Sequence, residues 1–496
     1  MTDLVAARRP FVDGRWITGD GAPLDVSSPA TEEVVATVET ASASQTEAAI
    51  LAARRSFDRG PWPTMAPAER IAAVRRLGDA LEARRGILVE TVIQEAGCPR
   101  GVTEMAQVGM ALQSVGELLD LYGRLPEWEH NEVPLDGHLV GSTVRMSLRR
   151  YEAAGVVAAI TPYNFPLITN VWKVFPALLA GCTVVLRPSP LTPLEATVFG
   201  ELAEEADLPP GVLNVVPEGG NEGGVLLSTH PGVDVVSFTG STSVGRAIAG
   251  QAAPSLKRVI LELGGKSVAL HLPDVFDAPT GIGSVVAAAM PVFASHAGQG
   301  CALQTRVLVP EQHRAAVVDA IAAAASTLPI GDPSDPANFI GPLISAAQLD
   351  RVHGIVTDSQ AAGGRVATGG RRPARLDRGF FYEPTVIDAS SNADPSAQRE
   401  IFGPVLTVLG YHDVDEAVAI ANDHELGLSN GVYTGDLTLG LSVANRLRSG
   451  TVQVNTGWAS AYTPMGGYKQ SGYGRERGAA GIRAFQELKH LVVGSR

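Results

Sequence analysis

Gly155-Val156-Val157-Ala158-Ala159-Ile160-Thr161-Pro162-Tyr163-Asn164-Phe165-Pro166 is the stretch whose reading decides the fold. Its first six residues are apolar or small with no polar alternation, the pattern of a strand buried on both faces. Pro162 and Pro166 then stiffen a polar loop around Asn164. Further short Val/Ile/Leu runs at 183–186, 213–216, 233–237 and 258–261 alternate with helical patterns. From about Tyr151 to Gly265 the chain reads as successive β-α units, hence an open parallel sheet with helices on both faces. The fold class is α/β. Helices are expected at 45–59, 67–95, 191–206 and 314–326, and a second β-α series is expected at 306–454, with strands at 306–309, 385–387, 405–409 and 451–454.

Composition narrows the function. The 496 residues carry 39 Lys+Arg against 52 Asp+Glu, a net charge of −13, which disfavours nucleic acid as a partner. Cys98, Cys182 and Cys301 are far apart and match no metal-ligand spacing, so neither a disulfide framework nor a zinc site is expected. A reducing cytoplasmic setting follows. The uncharged stretch 278–305 is interrupted by Gly281, Pro291, His296 and Gly300, which fits a segment buried between domains and not a membrane span.

Four clusters carry possible chemistry. In His296-Ala297-Gly298-Gln299-Gly300-Cys301 two glycines leave the cysteine open to close approach; the bland alternative is a small buried hydrophobe. Glu262, between an apolar strand and Gly264-Gly265, is placed as a general base, or else as a carboxylate bonded to Lys266 or nearby backbone. Asn164 can donate its amide to an oxyanion or cap the next helix. Phe238-Thr239-Gly240-Ser241-Thr242 is a glycine turn into a helix, a weak phosphate-binding signal without the G-x-G-x-x-G spacing.

Taken in order, these clusters resemble the aldehyde dehydrogenase superfamily. So do Phe11-Val12-Asp13-Gly14-Arg15-Trp16, Leu208-Pro209-Pro210-Gly211-Val212-Leu213-Asn214, Glu400-Ile401-Phe402-Gly403-Pro404 and Pro464-Met465-Gly466-Gly467 through Gly474-Arg475-Glu476. The resemblance implies NAD(P)-dependent oxidation of an aldehyde to its acid. It makes Cys301 the nucleophile, Asn164 an oxyanion donor, Glu262 the base that hydrolyses the thioester, and Lys173 an aid to proton transfer. Glu400 and Phe402 would meet the nicotinamide end of the cofactor. Thr161, Pro162, Tyr163, Ser189, Phe238, Gly240, Ser241, Leu263 and Gln348 match further cofactor positions, with Gly220 and Gly224 beside the adenine. An acid at 262 favours hydrolysis over acyl transfer to coenzyme A; an acylating or semialdehyde enzyme, or a silent structural member, is the alternative.

Departures from the family pattern sharpen two expectations. Arg187-Pro188-Ser189-Pro190 lacks the usual acid that bonds the adenosine ribose, so Pro190 removes a repulsion against NADP and Arg187 could meet its phosphate. NAD is still the expected cofactor, with NADP not excluded. Phe165, Ile168, Trp172, Trp458 and Tyr462 match tunnel positions, and no arginine lies between Asn455 and Pro464. Medium-length aliphatic, terpenoid or aromatic aldehydes are therefore expected in preference to acid semialdehydes. His296 is read as a satisfied structural histidine.

The resemblance also implies three parts: a Rossmann-type cofactor domain from 1–131 and 151–264, an α/β catalytic domain from 265–464, and a β oligomerisation arm from 132–150 and 479–496. The terminal run 487–494 would extend a partner's sheet, giving a homodimer or homotetramer.

Overall fold

The computed structural model describes residues 4–132, 143–457 and 460–495. Residues 133–142 of the expected arm, and Trp458, lie outside this set.

The amino-terminal strands β1 (Phe11–Val12) and β2 (Arg15–Trp16) form a hairpin around Asp13 and Gly14, both with positive φ. Five parallel strands follow: β3 (Val156–Ile160), β4 (Thr183–Arg187), β5 (Leu213–Val215), β6 (Val235–Thr239) and β7 (Arg258–Glu262). Their order is β2-β1-β5-β4-β3-β6-β7, and the short strand Gly472–Tyr473 closes the far edge antiparallel to β7. Along β3, Val157 and Ala159 enter one core and Val156, Ala158 and Ile160 the other. The absence of polar alternation thus has its cause in the helices that cover both faces. Among these are α1 (Pro166–Ala180), α2 (Leu194–Glu205), α3 (Glu222–Thr229) and α4 (Thr242–Ala252).

After Glu262 the chain passes through Gly264-Gly265 into a second sheet, of seven strands spanning residues 268–454. It contains the four expected strands together with Val268–His271, Arg365–Thr368 and Ser429–Tyr433. The expected helix at 67–95 is two helices, Pro67–Ala83 and Arg85–Ala96, broken where Arg84 leaves helical geometry. Within 278–305, Gly281–Ala294 is a helix. Among the described residues no helix is long and apolar enough to cross a membrane, and no group of three or more potential metal ligands occurs.

The terminal strand Gln486–Ser495 pairs along its length with Thr143–Ala153 of its own chain, and Trp128–His130 pairs on the far side. The outer edge of Gln486–Ser495 has no strand beside it among the described residues. Residues 478–483 form a short helix against α1, so only the segment from Gln486 belongs to this small sheet.

One buried pair gives stability a pH dependence. Glu95 accepts hydrogen bonds from the backbone N–H groups of Leu194 (2.8 Å) and Glu195 (3.2 Å) at the start of α2. Both Glu95 and Glu195 are fully buried. Burial raises both carboxyl pKa values, and the charge on Glu95 raises that of Glu195 further. The folded state therefore holds a proton that the unfolded state releases at lower pH. Stability present in acid is lost as pH rises from the ordinary carboxylate range, where the unfolded chain ionises, up to the raised pKa. E195Q, which keeps the shape without the titration, should lose less melting temperature than the parent as pH rises from 4.5, where the unfolded carboxyl ionises. Equal losses in a pH series of thermal melts would contradict this.

Candidate active site

Cys301 follows a turn in which His296, Ala297 and Gly298 have φ of 50°, 51° and 75°. Such a left-handed run is strained for the two residues with side chains. At Gly298 it also requires glycine, because a β-carbon there would lie 2.0 Å from the Gly403 carbonyl oxygen. Buried Gln299 holds the turn by accepting from the Ile344 N–H (3.0 Å) and donating to the His296 carbonyl (3.2 Å). The Asn164 amide donates to the Gln299 carbonyl at 2.7 Å, which leaves its second N–H available beside the cysteine loop. Asn164 does not cap α1; Phe165 occupies that position, without a side-chain cap.

The glycines after Glu262 bring the two sheets together. A β-carbon on Gly265 would fall 2.2 Å from the Cys301 carbonyl oxygen, and one on Gly264 would fall 2.4 Å from Glu400 Oε2. The Glu400 carboxylate accepts from the Gly265 N–H at 2.8 Å. Thus the base candidate at the end of β7, the cysteine loop and the Glu400 loop meet at one junction.

Glu262 is buried, and neither carboxylate oxygen has a hydrogen-bond partner. The alternative that it bonds Lys266 fails, since Lys266 Nζ is also buried without a partner. Burial, then the neighbouring Glu476, hold the Glu262 carboxyl well above the ordinary range, against the pull of Lys173, Arg475 and Arg477. Lys173 is fully buried and forms an ion pair with Glu476 while donating to Ser237 Oγ at 3.1 Å. Glu476 ends the carboxy-terminal motif, yet only three-dimensional proximity reveals it as the partner of Lys173.

All three cysteines are free thiols. Cys98 and Cys182 are fully buried, while Cys301 is only half-buried. Burial first, and then the carboxylates Glu262, Glu400 and Glu476, push the Cys301 thiol up to about 12. The resting group is therefore a protonated thiol at neutral pH. His296 is buried with neither ring nitrogen hydrogen-bonded, and burial lowers its pKa to about 3. The expectation of a satisfied histidine is thus corrected: it is a neutral ring whose nearest aromatic contact is Phe165, edge-on at 6.0 Å.

The carboxyl ends of β3 and β6 lie side by side. There Thr161 Oγ1 and Thr239 Oγ1 are buried without partners, which leaves polar groups for a ligand at the place where open α/β sheets bind one. Gly240 and Ser241 lead into α4, and Ser241 Oγ accepts from the Val244 N–H (3.4 Å). Tyr163 and Phe402 meet edge to face at 6.0 Å. Gln348 donates both amide hydrogens to the Ile401 and Phe402 carbonyls, so its donors hold the Phe402 loop. Phe238 and Leu263 are core side chains.

Arg187 is not free for a phosphate, contrary to the expectation from Pro190. Its Nε donates to Glu218 Oε2 at 3.0 Å and its Nη2 to the Gly220 carbonyl at 2.5 Å. Glu218 also accepts from the Gly223 and Gly224 N–H groups at the start of α3 (2.5 and 3.2 Å). A carboxylate thus already satisfies the helix N-terminus. Ser189 Oγ accepts from the Leu191 N–H at 3.2 Å.

Of the expected tunnel positions, Phe165 and Trp172 are half-buried, Ile168 is in the core, and Tyr462 is exposed with its hydroxyl donating to Asp120 (2.6 Å). Trp172 Nε1 donates to Ser114 Oγ at 3.1 Å. Arg477, one residue past the quoted motif, is 7% exposed, and its guanidinium lies 4.8 Å from the Trp172 ring centroid.

Comparison with known proteins agrees with this geometry. The model of the aldehyde dehydrogenase family matches residues 16–491. The geranial dehydrogenase of Castellaniella defragrans is 39% identical, the match covering 97% of this chain and 98% of that protein. An aldehyde dehydrogenase of Mycobacterium tuberculosis, solved with NAD+, superposes with a TM-score of 0.92 at 38% identity over 99% of both chains. A mutant aldehyde dehydrogenase C of Pseudomonas syringae, solved with NAD+ and octanal, gives 0.92 at 36% identity, again over 99% of both. With two sheets joined at the Cys301–Glu262–Glu400 junction and a family match over nearly the whole length, this chain belongs to the aldehyde dehydrogenase family.

Proposed function

We propose that the chain oxidises an aldehyde with a medium-length aliphatic, terpenoid or aromatic body to the carboxylic acid, using NAD. The observation that carries the reading is Glu262: a buried carboxyl without hydrogen bonds, at the junction that holds the half-buried Cys301. Geranial and octanal, named with two similar proteins, are uncharged aldehydes of the expected kind.

In this reading the Cys301 thiol gives its proton to solvent water as Sγ bonds to the carbonyl carbon, and the carbonyl oxygen becomes an oxyanion. The free N–H of Asn164 and the backbone N–H of Cys301 stabilise it. NAD, when bound, supplies the acceptor for the hydrogen that leaves the carbonyl carbon with its electron pair. A thioester on Cys301 remains. Glu262 takes a proton from water, whose oxygen adds to the thioester carbon and displaces the sulfur. Burial, and then the charge on Glu476, raise the Glu262 pKa, which makes its carboxylate a stronger base than an exposed one. Lys173 and Glu476 fix the charge environment in which that proton moves.

Thr161, Thr239 and the Gly240–Ser241 turn would hold the pyrophosphate region, Gly220 and Gly224 the adenine, and Glu400 and Phe402 the nicotinamide end. The Arg187–Glu218 pair supports NAD over NADP, because a 2′-phosphate would have to displace a carboxylate from both Arg187 and the start of α3. Residues 1–131 and 151–264 would serve as the cofactor domain and 265–464 as the catalytic domain. The open edge of Gln486–Ser495 would join two copies into a homodimer or a pair of dimers. A reducing cytoplasm would keep the Cys301 thiol usable.

The test is NADH formation with hexanal, octanal and benzaldehyde against both cofactors. The expected result is turnover of these aldehydes with kcat/KM at least about tenfold higher for NAD, the equivalent of losing one charge-assisted contact. Preference for NADP would overturn the cofactor assignment, and no turnover of any aldehyde the activity.

A further inference from the structure

Residues Thr103–Gly109 form a π-turn within a longer helical segment, where the Met110 N–H reaches the Met105 carbonyl five residues back. Such turns are rare and occur frequently at functional sites. Inside this one Gln107 is fully buried, and its Nε2 donates to the Asn164 main-chain carbonyl at 2.7 Å. A carbonyl oxygen only accepts, so the amide that faces it must present its nitrogen. That leaves Gln107 Oε1 enclosed without a hydrogen-bond partner among the described residues. An unpaired buried oxygen is a cost. The bond to Asn164 is what an amide supplies here and an apolar side chain of the same length would not.

This bond closes a ring of contacts beside the nucleophile. Asn164 donates its side-chain amide to the Gln299 carbonyl at 2.7 Å. Gln299, two residues before Cys301, donates to the Pro342 carbonyl at 3.4 Å. The adjoining Gly341 packs so closely on the chain before the π-turn that a β-carbon would fall 2.3 Å from the Gly97 carbonyl oxygen. Thr103, the first residue of the π-turn, donates its hydroxyl to the Cys98 carbonyl at 3.0 Å. The ring thus returns to the element that carries Gln107. Gln107, Asn164, Gln299 and Thr103 are all buried, so bulk water does not compete for these bonds.

We propose that Gln107 is a positioning residue for the oxyanion donor. Its grip on the main-chain carbonyl fixes the peptide plane after Asn164, and so the direction in which the Asn164 side chain leaves the backbone. The bond to Gln299 fixes the rotation of the amide. The remaining N–H is then held beside the cysteine loop before any aldehyde arrives. A donor fixed in advance stabilises developing charge better than one that must first turn. This role deepens the reading under Proposed function and rests on it, since it requires Asn164 to stabilise the oxyanion.

The test is the rate of NADH formation in the first turnover, with saturating NAD and whichever of hexanal, octanal and benzaldehyde is oxidised fastest. It compares the unaltered protein with N164A, Q107M and Q107M/N164A. N164A should lose about 100-fold, the usual cost of one oxyanion donor. Q107M keeps the length of the side chain but cannot donate, and should lose about tenfold through partial misplacement of that donor. Added to N164A, Q107M should cost less than about twofold more, because no amide remains to be directed. A role in packing alone would repeat the full Q107M loss in the N164A background. That additive outcome, or a Q107M rate equal to that of the unaltered protein, would overturn the proposal. A full rate in N164A would instead remove Asn164 from the oxyanion site, and absence of NADH with every aldehyde would overturn the proposed oxidation, so these failures are distinguishable. If Q107M does not fold, Q107N keeps the amide one methylene short of Asn164 and enters the same cycle. Its expected result is a smaller loss alone and no further loss beside N164A.

Discussion

Replacing Cys301 by alanine is expected to abolish NADH formation, a loss of about ten-thousand-fold or more, while the protein stays folded and still binds NAD. The size follows from the chemistry. An aldehyde carbon has no leaving group that an ordinary hydrolytic route could expel, so without sulfur there is no covalent adduct to oxidise. The fold should tolerate the change because Cys301 is half-buried, and the surrounding turn is held by Gln299 and Gly298 instead. Retained stabilisation by NAD in a thermal melt separates lost chemistry from lost structure. Residual turnover near the parent level would remove Cys301 from the mechanism. C98A and C182A serve as controls, since both thiols lie in cores.

The second large effect concerns Glu262. E262Q should still release up to one equivalent of NADH per active site, after which steady turnover should fall about 100-fold or more. Glutamine matches the shape and breaks no hydrogen bond, because neither carboxylate oxygen makes one. What it removes is the group that takes a proton from water. In the parent, steady turnover should rise with pH as the carboxyl, held high by burial and by Glu476, ionises. That rise should disappear in E262Q. A steady rate preserved in E262Q would assign deacylation to another base, and a burst restored to full turnover by coenzyme A would favour the acyl-transfer alternative.

The parallel sheet was legible because strands such as Val156–Ile160 are covered on both faces and therefore contain no polar residues. The strands Val268–His271 and Ser429–Tyr433 were not: the first has only three apolar residues before His271, and the second opens with Ser429-Asn430-Gly431, where buried Asn430 accepts from the Val268 N–H through its Oδ1. The helix break at Arg84 has no Pro to announce it, and Gly86, two residues on, lies inside the second helix as a glycine that a continuous helix also tolerates. In the site, Cys301, Glu262 and Asn164 stood out by their motifs. Glu218, Glu476 and Arg477 did not. Their significance depends on contacts far away in sequence: Arg187 for Glu218, Lys173 for Glu476, and for Arg477 the ring of Trp172. Likewise His296 looked like an ordinary structural histidine, and only the folded chain shows both of its nitrogens unpaired.

The measurement that bears most directly on the account is the mass of E262Q after incubation with NAD and octanal, followed by peptide mapping. The predicted result is one octanoyl group per chain, located on the peptide containing Cys301 and removed by hydroxylamine. An unmodified Cys301 in a sample that has produced its equivalent of NADH would contradict the thioester and the role of Glu262 together.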